Sequence, residues 1–208
     1  MCGRYFIDLA QGELLDIVRE LDRQNQASPY PLPLKTHGEV FPSDLVPAQT
    51  GPGQYQAMQW GFRAFDNRLI INARSETALD KPLFREAMQD RRCLLPASGY
   101  YEWQALQGKK QRFAFSPPQG ILFLAGCYRQ ESDKTPPVFV ILTREAQPAF
   151  SHIHKRMPVI IPRDLAQAWL QEGPEAMKYP FLDLEFRPSH GREGKTPDLA
   201  DRQLSMID

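Results

Sequence analysis

Proline recurs through the whole chain, 19 times in 208 residues, nearly twice the usual share of about 5%. Each proline fixes φ and removes a backbone donor, so the chain cannot sustain long uninterrupted helices and favours short strands joined by rigid turns. With 42% hydrophobic residues, a chain of this length can bury about 70% of its unfolded surface in a single core. One domain is expected over residues 1–208, with a polar tail from about Arg187 that holds too few apolar residues to form a core element.

A short strand is predicted through Tyr5, Phe6 and Ile7. Between Ala10 and about Gln24, Leu14, Ile17, Val18 and Leu21 recur at helical spacing and predict an amphipathic helix. The segment from Ala27 to Pro33 reads as a loop, and short strands around Val40–Phe41 and Leu45–Val46 are expected to be broken by Pro42 and Pro47. Apolar residues resume from Tyr55 to Phe62 and from Leu69 to Ile71. A second helix is predicted over Pro82–Asp90. Then come strands from Cys93 through Trp103, Gln111–Phe115, Ile121–Tyr128, Val138–Thr143 and Met157–Ile161, and a helix over Asp164–Gln171. Strands that follow strands predict an α+β domain whose antiparallel sheet or barrel-like core carries peripheral helices.

Lys+Arg and Asp+Glu both number 25, so no global field draws this chain to nucleic acid, and any such affinity must come from a local basic patch. No stretch approaches the ~18 apolar residues of a membrane span. Gly3, Arg4 and Asp8 interrupt the apolar run that a signal peptide needs, so a cytosolic protein with reduced thiols is expected. Cys93 and Cys127 sit in apolar strands and read as inert core thiols. The histidines and cysteines lack zinc-ligand spacing, so neither metal nor cofactor is expected.

Cys2 is the most unusual residue. Removal of Met1 would leave a thiol and a primary amine on adjacent carbons, and an α-amine with a reference pKa of roughly 7.7–8.0 is partly neutral and nucleophilic at pH 7. Such an amine attacks an aldehyde to give a Schiff base, and the thiol then closes a five-membered thiazolidine. Taken alone, Cys2 reads first as a chance penultimate residue. Asn72 and Arg74 stand two apart at a strand end and share a face, although the segment also reads as a turn with a surface arginine. Glu102, in the apolar run Tyr101–Trp103, is either a desolvated proton-transfer group or the partner of an arginine. His152 and His154 are alternate residues before Arg156, and a strand would put both on one face. His37 and His190 carry no readable signal.

Together these segments resemble the SRAP family, the SOS response-associated peptidase domain that includes abasic-site processing proteins. The resemblance rests on Met1-Cys2-Gly3-Arg4-Tyr5, Trp60-Gly61, Asn72-Ala73-Arg74-Ser75-Glu76-Thr77, the run from Cys93 to Trp103, and Ile153-His154-Lys155-Arg156-Met157-Pro158. It implies the SRAP fold, binding of single-stranded DNA, and a thiazolidine crosslink between Cys2 and the ring-opened aldehyde of an abasic site. It also implies that the protein removes Met1 by itself, that Asn72 holds the Cys2 amine, that Glu102 moves protons, and that His154 acts as acid/base on the sugar oxygen and in reversal. His152 is then a neighbour. DNA contacts are expected from Arg4 and Arg74 to phosphates, from the Thr143 hydroxyl near the sugar, and from Pro42. Arg156 either contacts a phosphate or pairs with a buried carboxylate such as Glu102. Trp60 either stacks on a base or belongs to the core.

Two segments depart from the family pattern. Gly38-Glu39-Val40-Phe41-Pro42-Ser43-Asp44 replaces a Tyr-Asn-x-Ala-Pro-Thr segment and keeps only Pro42. The usual Pro and second Trp after Trp60-Gly61 are missing, which leaves Phe62 or Phe65 as the base-splitting wedge. Three functions remain open at this point: an abasic-site crosslinker, a thiol peptidase using Cys2, His154 and Glu102, and a plain single-stranded DNA-binding module. A single site on one strand needs no partner chain, so a monomer is expected.

Overall fold

A computed structural model describes residues 2–10, 12–27, 32–106, 108–173, 180 and 182–189. Met1, His190 and the tail beyond residue 189 therefore lie outside the described residues. In chain order the elements are β1 (Tyr5–Ile7), α1 (Gly12–Gln26), β2 (Gly38–Val40), β3 (Leu45–Gly51), β4 (Gln54–Trp60), β5 (Phe62–Arg63), β6 (Leu69–Ile70), β7 (Asn72–Arg74) and α2 (Pro82–Asp90). They continue with β8 (Arg92–Ala97), β9 (Gly99–Leu106), β10 (Lys109–Ser116), β11 (Leu122–Arg129), β12 (Val138–Glu145), β13 (Arg156–Pro158), β14 (Ile160–Ile161), α3 (Ala166–Gln171) and β15 (Glu185–Pro188). The architecture is α+β, as the strand-after-strand order predicts.

Strands β12, β4, β3, β8 and β11 pair in turn, and β11 returns to β12, so the larger sheet closes into a barrel. The β4–β12 pairing is parallel and the other pairings around the ring are antiparallel. Closure removes sheet edges and gives the apolar strand residues a common interior. A second sheet, ordered β15-β10-β9-β1-β2, packs beside it. The chain passes between the two at Ser98, whose hydroxyl accepts the Asp8 N–H at 2.8 Å. A side chain on Gly99 would collide with the Phe115 carbonyl oxygen and the Phe6 ring, so this crossing requires glycine. Tyr5, Trp60, Tyr100, Phe115 and Phe139 fill the main core, while α2 and α3 cover a second cluster that includes Phe84, Met88, Leu94 and Trp169. Helix α1 buries Leu14, Ile17, Val18 and Leu21, the face set by their spacing.

Two sequence expectations need correction. Pro47 does not break its strand but lies inside β3, which pairs with β8 only at Gln49. A proline is tolerated where the strand has a largely unbonded side. The predicted strand Met157–Ile161 is split: β13 pairs with β12 and β14 with β11, while Val159 bonds to both neighbours through Leu142 and Ala125. At the C-terminal end of the described residues, β15 pairs Glu185–Pro188 with the edge at β10. Strand pairing draws on backbone groups and needs no apolar run, and Phe186 joins Phe113, Phe115 and Phe150 in an aromatic cluster.

Arg92 ties the helices to the barrel. Its guanidinium donates to the carbonyls of Met88 at 3.0 Å, Trp169 at 2.7 Å and Leu170 at 3.1 Å, and also to that of Gln89. These are the carbonyls that the ends of α2 and α3 leave unpaired. Charged donors are worth about 1.5–3 kcal/mol each when lost. Arg92→Leu is expected to cost at least about 3 kcal/mol, lowering the thermal midpoint by about 10 °C, which a calorimetric melt would read. A midpoint within 2 °C or so of the parent would show that the capping is not what stabilises these ends.

Candidate active site

The site forms where β1 begins. β1 lies between β2 and β9, and the Tyr101 N–H extends the ladder to the Arg4 carbonyl at 2.9 Å. The residues ahead of Tyr5 are thereby carried along the middle of β9. Cys2 is fully buried, and its thiol donates to the Arg4 carbonyl at 3.7 Å. Burial, then the nearby Glu102 charge, push the thiol far above its ordinary range. Strand β7, seated on the edge of β12 by its Asn72–Ile141 and Arg74–Thr143 pairs, brings Asn72 to the same point. The Asn72 side-chain N–H donates to the Cys2 carbonyl at 2.9 Å, across 70 residues of sequence. Its Oδ1 is buried with no partner among the described residues. Sequence reading expected Asn72 to act on the Cys2 amine; in the chain that still carries Met1, the contact it makes is with the Cys2 carbonyl.

Glu102 projects from β9 and is 3% exposed. Burial is the largest influence on its carboxyl and raises it from 4.5 to about 7, so it holds and releases a proton near neutrality. The Nδ1 of His154 lies 4.0 Å from Glu102 Oε2, longer than a hydrogen bond but close enough to respond to its charge. The Arg156 N–H and the Arg156 carbonyl oxygen both lie 3.0 Å from His154 Nδ1, so the Arg156 backbone holds the ring in place whichever nitrogen carries the proton. Burial also lowers the His154 pKa, keeping the ring neutral. His152 does not join the pair. Its carbonyl accepts from Gln104 and its ring lies against Phe186.

The expected DNA contacts divide. Arg74 is exposed. The Arg4 guanidinium sits 4.0 Å from the Phe41 ring and 5.5 Å from the Trp103 ring, paired at 3.1 Å with Glu39. Pro42 follows Phe41 on a half-buried loop that is pinned to Trp60 by Ser43 N–H to Trp60 O and Trp60 N–H to Asp44 O. Trp60 itself is fully buried, with its indole N–H on the Ile71 carbonyl at 2.9 Å and its ring stacked on Phe139. Base stacking by Trp60 is therefore corrected: an aromatic in an apolar run went to the core. Thr143 is also fully buried, its hydroxyl donating to the Ala73 carbonyl, so a direct sugar contact is corrected as well. Arg156 forms a bidentate pair with Glu76 at 2.7 and 2.8 Å and donates to the Thr143 carbonyl at 2.6 Å. Its carboxylate partner is thus Glu76 and not Glu102. Of the two wedge candidates, Phe62 is buried and Phe65 fully exposed.

Sequence reasoning missed Glu39, Phe41, Trp103 and Arg112 around Arg4. The only signal was a carboxylate, Glu39, directly ahead of the predicted strand at Val40–Phe41. Among the described residues no cluster of three or more His, Cys, Asp or Glu is placed to hold a metal ion, and no helix is long and apolar enough to cross a membrane.

The sequence matches the family described as SOS response associated peptidase (SRAP) over residues 1–190. The abasic site processing protein YoaM of Bacillus subtilis is 31% identical over 82% of this chain and 79% of its own length. The abasic site processing protein YedK of Escherichia coli is 26% identical over 83% and 80%. A crystal structure of a protein from Bacteroides thetaiotaomicron superposes with a TM-score of 0.71 at 19% identity, covering 91% of this chain and 92% of that one, and so shares the fold. With nearly its whole length matched, the chain belongs to the SRAP family.

Proposed function

We propose that this protein processes abasic sites in single-stranded DNA by capturing their aldehyde on Cys2 once Met1 has been removed. The observation that carries this reading is the convergence of three distant segments on Cys2. Asn72 holds its backbone, Glu102 lies close enough for its charge to act on the thiol, and His154 stands 4.0 Å from Glu102. The names of the relatives YoaM and YedK support the substrate class.

The chemistry follows from the protonation states. Glu102, titrating near pH 7, takes a proton from the Cys2 ammonium, and the buried Asn72 Oδ1 is free to accept one of the remaining N–H groups. The neutral amine adds to C1′ of the open sugar, and Glu102 returns the proton so that the hydroxyl leaves as water. The Cys2 sulfur then bonds to the imine carbon, and its proton passes to nitrogen. The product is a thiazolidine with one water lost and no redox change. His154, whose pKa is lowered by burial, supplies acid/base exchange at the sugar oxygen. Arg74 and Arg4 supply phosphate contacts. Trans-acting thiol proteolysis fits less well, because the Cys2 thiol is raised by burial where a thiolate nucleophile needs a lowered pKa.

Intact mass spectrometry tests this reading. Incubation with an oligonucleotide carrying one abasic site is expected to yield Met1-free protein plus DNA minus one water. A Met1-free chain that forms no adduct would remove the proposal.

A further inference from the structure

Glu39 lies on the outer face of the second sheet and is only 5% exposed at its side chain, yet it faces two arginines. Its Oε2 accepts from Arg4 Nη1 at 3.1 Å and its Oε1 from Arg112 Nη1 at 2.7 Å. Pairing across β1, β2, β9 and β10 brings these groups together: Phe6 stands opposite Glu39, Trp103 opposite Arg112, and the Arg4 carbonyl bonds to Tyr101. Arg112 also lies 4.4 Å over the Tyr101 ring and donates to Ser189 at 3.0 Å, leaving it 11% exposed. Arg4 is different. It is 28% exposed, has two aromatic rings close to its guanidinium, and its Nη2 has no protein acceptor among the described residues.

A carboxylate this dry is costly to bury unless cations offset it. One carboxylate between two guanidiniums leaves one positive charge, and Arg4 is the more exposed of the two, at 28% against 11%. We propose that Glu39 is a positioning residue for phosphate recognition. It holds the Arg4 guanidinium against Phe41 and Trp103 and cancels half of the local positive charge, so that Arg4 offers a single anion contact in a fixed place two residues from Cys2. Glu39 and Phe41 come from one of the two segments in which this chain departs from the family pattern. This positioning role rests on the DNA reading above.

Charge and positioning predict opposite outcomes for Glu39→Gln. By charge alone the variant, more positive by one, binds a DNA strand more tightly. By positioning, an Arg4 released from Glu39 leaves the strand misplaced against Cys2. Affinity for an undamaged single-stranded oligonucleotide, read by fluorescence anisotropy, should be unchanged or higher. The adduct-forming rate at saturating abasic oligonucleotide should fall about tenfold, with partial recovery in Glu39→Asp. A Glu39→Gln rate within twofold of the parent overturns the proposal. If Glu39→Gln fails to fold by circular dichroism, Phe41→Leu, which keeps the ion pair and removes one ring, should slow capture at unchanged thermal midpoint, and a parental rate there overturns it equally.

If the parent protein forms no adduct, the functional reading fails by itself and salt dependence decides the present proposal. In the parent background Arg4→Gln should flatten the slope of log K against log salt by about 0.7 for a single strand. In the Phe41→Leu background it should flatten it by less than half of that. Equal losses in both backgrounds would show that nothing holds Arg4 in place.

Discussion

Cys2→Ala is expected to abolish the hydrolysis-resistant adduct while leaving the fold intact. Only an N-terminal cysteine presents an amine and a thiol two carbons apart, and the stable product needs both. The amine alone gives an imine that water reverses; the thiol alone gives a hemithioacetal that falls apart as readily. Removing the sulfur of a buried residue costs the fold little here, because the Cys2 carbonyl, which Asn72 grips at 2.9 Å, is backbone and survives the substitution. Cys2→Ser adds a sharper test, since it keeps the amine and replaces sulfur by a poorer nucleophile. It should yield no stable adduct alone but a covalent product when borohydride reduces the imine. An unremoved residue ahead of Cys2 should block both products, because the α-amine becomes an amide nitrogen with no nucleophilic pair. Intact mass and a denaturing gel read all three variants. A Cys2→Ala protein that still forms an adduct stable to heat and dilution would move the nucleophile to another residue.

Much of this site was legible in the sequence because its chemistry depends on residue type. A penultimate cysteine, an amide and a guanidinium two apart, and a carboxylate flanked by aromatics are unusual enough to stand out before any fold is known. The elements around them were legible for a similar reason: apolar spacing in α1 and α2 and the strand-rich second half reflect local periodicity. What failed depended on the neighbours of each residue. Trp60 and Thr143 look the same in sequence whether they face DNA or the protein interior, and the pairing of β12 with β4, β7 and β13 buries both. The partner of Arg156 lies 80 residues away, and nothing local distinguishes Glu76 from Glu102 as its acceptor. Strand β15 was invisible because edge pairing uses backbone groups that every sequence has. Glu39 carried no reading of its own until the register placed it between Arg4 and Arg112.

Glu102→Gln is expected to make the protein slower and more stable at once. General acid/base groups contribute typically 10²- to 10⁴-fold, so capture at pH 7 should slow by at least about 100-fold. The pH profile should change with it. In the parent, the rate falls as pH drops through about 7, where Glu102 becomes protonated and can no longer take the ammonium proton. In the variant that inflection should move up to the amine itself, at roughly 7.7–8.0. Stability runs the other way. The folded carboxyl is raised above its ordinary 4.5 to about 7, so between these values the native state binds more protons than the unfolded one and stability declines as pH rises. Above pH 7 the accumulated penalty is on the order of 3 kcal/mol, and below 4.5 it vanishes. A neutral glutamine of nearly the same shape does not carry it. The variant should therefore melt several degrees higher than the parent at pH 8 and at the same temperature near pH 4. A Gln variant that matches the parent rate from pH 6 to 8 would take Glu102 out of the proton path. Equal melting at pH 8 would mean that its burial does not strain the fold. The combination of slower capture and higher stability is what separates a proton carrier held in a dry site from an ordinary structural carboxylate, whose loss leaves its partners unsatisfied and lowers stability at every pH where it is ionised.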